Sequence, residues 1–188
     1  MKRQKINAVT ISFAAMMAAI VYVVTLFRFP LLDSKVHFAN AMCLLSGMLL
    51  GPLTGGVAAG LGSALYDALA GGYDLINVLI TFVSKFAMAF VCGIIMQRSG
   101  ERKGRADRTL IASIAGALTY VCLYMIKTFI FKHYVSGYPM ASMGVVMIEK
   151  LIPSLLNAAV AIVAAPLFYH AVLPALRGSG LLKHMQPD

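Results

Sequence analysis

The sequence predicts an all-α integral membrane protein with six transmembrane helices and both termini in the cytoplasm. The 188 residues are 60% hydrophobic and only 12% charged, and the mean hydropathy is +0.83. A soluble domain carries about 25% charged residues. A core of this size is also too small to hide so many apolar side chains from water. The composition therefore excludes a soluble enzyme, a secreted disulfide scaffold and a disordered chain.

The apolar segments define the helices, because a span needs about 20 mostly apolar residues. The first segment is a mature helix rather than a signal peptide, since its apolar run exceeds the usual length of about 7–15 residues. Gly51-Pro52 predicts a tight helical hairpin, with the proline beginning the third helix. We expect one domain over 1–188, with helices at 6–27, 37–50, 53–70, 75–97, 109–131 and 145–173.

Basic residues set the orientation of these spans. Ten of them lie before segment 1, after segment 6 or in the basic loop at 98–108, and only three lie in the opposite loops. Because Lys and Arg accumulate in cytoplasmic loops, both termini are predicted in the cytoplasm. The net charge of +9 is thus explained by topology, and nucleic acid is not an expected partner.

Small residues indicate where helices approach closely. Gly47, Gly51 and Gly55 follow a four-residue spacing, which permits near-backbone contact in a membrane. Segment 1 contains two overlapping Ala-x-x-x-Ala pairs. These pairs are compatible with packing inside the molecule or with contact to a partner protein, and they consist of Ala14, Ala15, Ala18 and Ala19.

Polar residues inside the spans indicate a binding site, because an ionisable group in a membrane is costly unless it is paired or hydrated. Asn77, Thr81 and Lys85 share one face of segment 4. All such groups fall in the outer half or near the midplane, which predicts a pocket open to the outside. The alternative is internal ion pairing of Asp67 or Glu149 with a lysine. The predicted substrate-binding residues are Asn77, Thr81, Lys85, Tyr124, Lys127, Tyr138, Glu149 and Asn157.

The stretch from His37 to Lys85 resembles the substrate-binding membrane subunits, or S components, of energy-coupling factor (ECF) transporters. The resemblance rests on Leu-x-x-Gly-Met-Leu-Leu-Gly-Pro at 44–52, on the glycine series ending at Gly62-Ser63, and on Asp67. It implies capture of a vitamin outside the cell and association with a coupling membrane subunit and two ATPases. The ATPases would use ATP, and this chain would need no cofactor. The resemblance also implies that the four alanines of segment 1 face the coupling subunit.

Two other functions remain open from the residues. A stand-alone secondary transporter usually contains inverted repeats, and none relates residues 1–97 to 98–188. An intramembrane serine protease needs a base beside a nucleophile such as Ser63. The only histidine in the apolar interior region is His170, which lies near the opposite end of its helix. No metal-ligand spacing is present, and an N-terminal Met-His pair of the metal-transporting branch is absent.

The intramembrane lysines indicate the chemistry of the cargo. Lys85, Lys127 and Lys150 outnumber Asp67 and Glu149, which favours a cargo with an acidic or electron-rich group. Pyridoxal-like vitamers, pantothenate, folate-like molecules and queuine-type heterocycles all remain open.

Overall fold

The computed structural model describes residues 7–31, 34–97 and 106–180, with the side chains of 28–36 left undescribed. Six α-helices and one β-hairpin form this part of the chain. A π-helical turn at Phe131–Val135 extends the fifth helix. The elements are α1 Ala8–Leu26, β1 Arg28–Leu31, β2 Ser34–His37, α2 Ala39–Leu50, α3 Pro52–Leu69, α4 Leu75–Gln97, α5 Ala106–Ile130 and α6 Met140–Gly178.

A helix is present at each of the six predicted segments, and α4 has the predicted bounds. Four of the described helical segments are long and apolar enough to cross a membrane: Ala8–Leu26, Leu75–Gln97, Ala106–Val135 and Met140–Gly178. α2 has 12 residues, a length of about 18 Å at 1.5 Å per residue. The count of six crossings and the cytoplasmic side of the termini stay predictions.

The connection between α1 and α2 is a β-hairpin, so the all-α expectation is incomplete. β1 pairs antiparallel with β2, with Arg28 opposite His37 and Pro30 opposite Lys35. Proline has no backbone N–H for a continuing helix, and extended pairing satisfies the neighbouring backbone groups instead. Residues 32–33 of the predicted outer loop lie outside the described residues.

α2 is the centre of the helical body. All its residues from Ala39 to Leu50 are buried, and it packs against α1, α3, α4 and α6. Gly47 lies so close to α4 that a Cβ atom there would meet the backbone of Ala89. Gly62 of α3 meets the backbone of Ala18 in the same way. The glycine spacing therefore gives the predicted close helix packing.

The hairpin between α2 and α3 turns at the predicted dipeptide. Gly51 has φ 79°, a left-handed conformation that glycine adopts without steric cost, and Pro52 begins α3. The Gly51 N–H donates to the Gly47 carbonyl at 3.0 Å, which ends α2. The two helices are thus joined by one residue.

The alanines of α1 divide between two faces. Ala18 is buried against α3, and Ala14 is half-buried against the core. Ala15 and Ala19 are exposed on the opposite face, beside Ile11. Ala14 and Ala18 therefore pack inside the molecule, and only Ala15 and Ala19 are exposed.

The basic residues used to orient the chain are only partly described. Residues 1–6, 98–105 and 181–188, with most of the predicted basic loop, lie outside the described residues. Arg108 lies in the first turns of α5, and Arg177 lies in the last turn of α6. α6 extends five residues beyond the predicted segment at each end and includes Pro153, Pro166 and Pro174.

Candidate functional site

A polar cavity of about 420 Å³ opens at one end of the helical body. Its wall is built where α3 ends and α4 begins, along the last turns of α5, and along the first half of α6. The start of α2 and the end of β2 close the remaining side, through Ala39 and His37. Arg108 and Arg177 lie at the opposite ends of their helices, away from the cavity.

Six of the eight predicted substrate-binding residues line this cavity: Asn77, Thr81, Lys85, Tyr124, Lys127 and Asn157. The other two do not. Glu149 is exposed, since it precedes the cavity-lining Lys150 and is rotated about 100° from it around α6. The Tyr138 ring lies 4.8 Å from Lys132 Nζ, and its carbonyl lies 3.0 Å from His133 Nδ1, outside the lining.

Lys85 is the most buried charged group at the cavity, with 4% of its surface exposed. Its Nζ donates a hydrogen bond to Asn40 Oδ1, which is supplied by the first turn of α2. The same Nζ lies 3.6 Å from the centroid of the Tyr120 ring, close enough for a cation–π interaction. Both partners are uncharged, so the ammonium group is oriented but not neutralised.

Lys127 lies closer to the cavity mouth and is half-buried. Its Nζ lies 5.8 Å from the centroid of the Phe131 ring, one turn further along. No ion pair with a carboxylate involves Lys85 or Lys127 within the described ranges. Among the described residues Lys85 therefore has no carboxylate partner, whereas Asp67 and Asp74 attract Lys127 electrostatically without forming a salt bridge.

Two amides at the cavity also have structural hydrogen bonds. Asn157 Oδ1 accepts from the His37 backbone N–H at 2.9 Å, which ties α6 to the end of β2. Asn77 Nδ2 donates to Asp74 Oδ1 just before α4. This hydrogen bond holds the pKa of the exposed Asp74 carboxyl below its usual value.

Asn40 and Ser154 are two of the groups at or behind the cavity wall that sequence reasoning missed. Asn40 holds Lys85, but its position within an apolar run gave no sign of that contact. Ser154 lines the cavity, and its buried Oγ has no hydrogen-bond partner among the described residues. Ser154 lies four residues after Lys150 and three before Asn157, so helical periodicity alone places it on their face.

The arrangement can bind a polar molecule but offers no catalytic constellation. Ser63 Oγ lies 3.7 Å from Cys43 Sγ, and within the described part of the chain no hydrogen bond joins it to a histidine. His170 Nε2 lies 3.3 Å from Thr109 Oγ1. Thr109 is near the start of α5, whereas the cavity lies along the last turns of that helix. The described residues contain no group of His, Cys, Asp and Glu that could hold a metal ion.

Comparison with known proteins decides the family. The sequence model of the family "ECF-type riboflavin transporter, S component" matches residues 5–173. The chain belongs to this family of ECF S components. It is therefore a multi-pass membrane protein and a transporter subunit, not an enzyme. No curated protein sequence matches it.

Two solved structures show the same S-component fold. The S component of a bacterial ECF transporter has a TM-score of 0.70 at 16% identity, covering 89% of this chain and 97% of its own. The S component for biotin from an ECF-type ABC transporter has a TM-score of 0.67 at 16% identity, covering 94% and 95%. At 16% identity, these two similarities establish the fold of the chain and nothing about its ligand.

Proposed function

We propose that this S component captures a vitamin or related small nutrient at the outer face and delivers it inward. Delivery uses an ECF coupling subunit and two ATPases, which supply the energy from ATP. The observation that carries the proposal is the polar cavity within an otherwise apolar helical body. Polar groups in a membrane protein are retained where they bind a ligand or an ion.

The size of the cavity supports a small-molecule ligand. Its volume of about 420 Å³ falls within the range of roughly 300–1,000 Å³ for ligand sites. Tyrosine and phenylalanine rings in the wall supply apolar contact, and lysine, serine and asparagine supply polar groups. Riboflavin, from the family's description, and biotin, from the second structure, are the first ligands to test.

The distribution of charge supports entry from outside. Arg108 and Arg177 lie at the helix ends far from the cavity, on the side to which the sequence assigns ten of the thirteen basic residues in loops and termini. Cytoplasmic ends of spans are rich in Arg and Lys. The cavity then faces the outer side. Labelling of single cysteines at 106 and at 138 with a membrane-impermeant thiol reagent tests this, in a background where Cys122 is replaced by Ser. We expect labelling of intact cells at 138 only, and labelling at 106 only would reverse the orientation.

The exposed pair Ala15 and Ala19 supports a contact with the coupling subunit. Small side chains on an exposed helix face let another membrane helix approach closely. The pair lies between Ile11 and Val23, which are 59% and 48% exposed. Ala14 and Ala18, predicted together with them, are instead packed inside this subunit.

The decisive experiment has two steps. Mass spectrometry of molecules that co-purify with the detergent-solubilised protein names the cargo. Uptake of that cargo is then measured in vesicles with the S component alone and with its coupling subunit and ATPases. We expect ATP-dependent uptake only in the complete complex, whereas ion-driven uptake by this chain alone would establish a secondary transporter.

A further inference from the structure

The cavity contains a buried cation for which the described residues supply no counter-ion. Lys85 is 4% exposed, and its contacts are the amide of Asn40, itself 1% exposed, and the ring of Tyr120. A buried charge is costly unless an opposite charge or several hydrogen bonds compensate for it. The two neutral partners orient the ammonium group and leave its charge to be balanced by something else.

A second buried group in the cavity wall, the Ser154 hydroxyl, has no hydrogen-bond partner among the described residues. Ser154 is 4% exposed, and its Oγ makes no hydrogen bond within the part of the chain described here. A buried hydroxyl usually has a hydrogen-bond partner, and leaving it unsatisfied costs about 1–3 kcal/mol. Ser154 reaches the cavity from α6, whereas Lys85 reaches it from α4.

The net charge of the described lining residues is also positive. Among the described residues that line the cavity, four are lysines and Asp67 is the one carboxylate. A wall of this composition favours a negatively charged ligand over a neutral one of the same shape. The hydrophobic surroundings strengthen the preference, since charges interact more strongly there than in water.

We propose that Lys85 and Ser154 form a subsite for an anionic oxygen group of the cargo, a carboxylate or a phosphate. Asn40 is a positioning residue that holds the Lys85 ammonium group from behind. The inference rests on the proposed capture function and narrows its cargo to acids. A neutral vitamin would leave the Lys85 charge uncompensated and would bind more weakly than its acidic counterpart.

The first test compares neutral and anionic molecules that share one skeleton. The probes are biotin with biotinamide, pantothenate with panthenol, and riboflavin 5′-phosphate with riboflavin. Binding to the purified full chain is measured by calorimetry. We expect at least one acid to bind at least tenfold more tightly than its neutral counterpart.

Three results overturn the inference. In the first, each neutral molecule binds as tightly as its acid. In the second, riboflavin binds and none of the acids does, which leaves the proposed vitamin capture intact. In the third, none of the six molecules binds, which also removes the support for vitamin capture.

The second test introduces a carboxylate beside Lys85 by substitution of a protein residue. Asn40→Asp keeps the size and shape of the side chain but places a carboxylate against Lys85. We expect the affinity for the preferred acid to fall at least tenfold and the preference over its neutral counterpart to disappear. The neutral molecule should bind as it does to the unmodified protein, which a general loss of structure would not allow.

Two further variants keep this test decisive. Asn7→Asp is the matched control: Asn7 caps α1 through a hydrogen bond from the Thr10 N–H at 2.8 Å, and aspartate caps a helix equally well. It should leave the preference for the acid unchanged. Ser154→Ala should lower the affinity for the acid more than the affinity for the neutral molecule. An Asn40→Asp protein that still prefers the acid tenfold would overturn the subsite, and if that variant does not fold, the Ser154→Ala comparison decides.

Discussion

At the scale of single residues, the lysines of the cavity differ in what the surrounding helices supply. Lys85 is held by Asn40 and Tyr120, whereas Lys127 lies near the mouth and contacts the Phe131 ring. The sequence predicted both lysines, because periodicity places a residue on a helix face. It did not predict Asn40, because a contact between α2 and α4 depends on how helices pack, not on their sequence spacing.

Replacement of the cavity lysines tests the location of the site. Lys85→Ala and Lys127→Ala should each weaken binding of the co-purifying ligand at least tenfold, about 1.4 kcal/mol. Each change removes a cation from the cavity wall. Glu149→Gln is the comparison, since Glu149 is exposed on α6 and does not line the cavity. Unchanged affinity in both lysine variants, or a tenfold loss from Glu149→Gln, would contradict the site as described.

Asp74 gives a pH dependence with a defined sign. The hydrogen bond from Asn77 lowers the pKa of the Asp74 carboxyl in the folded protein. Its contribution to stability is therefore present above the unfolded pKa of about 3.9 and is lost as the pH falls through the folded pKa. Thermal unfolding in detergent should show a smaller decrease between pH 5 and pH 3 for Asp74→Asn than for the unmodified protein. An identical decrease in both proteins would rule out this contribution.

At the scale of helices, the sequence predicted the elements better than their connections. The bounds of α4 are correct, because Gly71, Gly72 and Asp74 interrupt the apolar pattern just before it. The turn at Gly51-Pro52 is correct because only glycine and proline combine a left-handed turn with an immediate helix start. The hairpin of β1 and β2 was missed, since pairing over ten residues leaves no strong periodic signal.

Gly47 provides a test of close helix packing. Gly47→Ala should destabilise the protein by about 1–3 kcal/mol, the usual cost of overpacking, because its Cβ would meet the Ala89 backbone. Gly144→Ala is the matched control, since nothing lies within 4 Å of a Cβ at that position of α6. Thermal unfolding in detergent measures both variants. Equal effects of the two changes would show that α2 and α4 do not approach at Gly47.

At the scale of the whole molecule, the two alanine pairs of α1 differ in exposure. The family resemblance implied that all four alanines of segment 1 face a partner, but one pair packs inward and the other is exposed. The distinction depends on the rotation of α1 about its axis, which packing against Gly62 determines. Helical periodicity shows which residues share a face, but it does not show whether that face points into the folded protein or away from it.

The outward pair gives a prediction about assembly. The double variant Ala15→Leu/Ala19→Leu should bind ligand normally but should co-purify poorly with the coupling subunit and ATPases, with at least a tenfold loss of recovered complex. Larger side chains would hold a partner helix away. Ala159→Leu, on an exposed position of α6, is the control and should assemble normally. Normal assembly of the double variant would exclude this face as the contact.

The complete burial of α2 separates it from the lipid. Hydrophobic mismatch with the bilayer acts only on helices that touch acyl chains, and α2 touches protein on every side. A change in membrane thickness would therefore change the tilt of the outer helices, but it would not act directly on α2, which contains Asn40. The hydrogen bond between Lys85 and Asn40 should accordingly have the same geometry in short-chain and long-chain lipids.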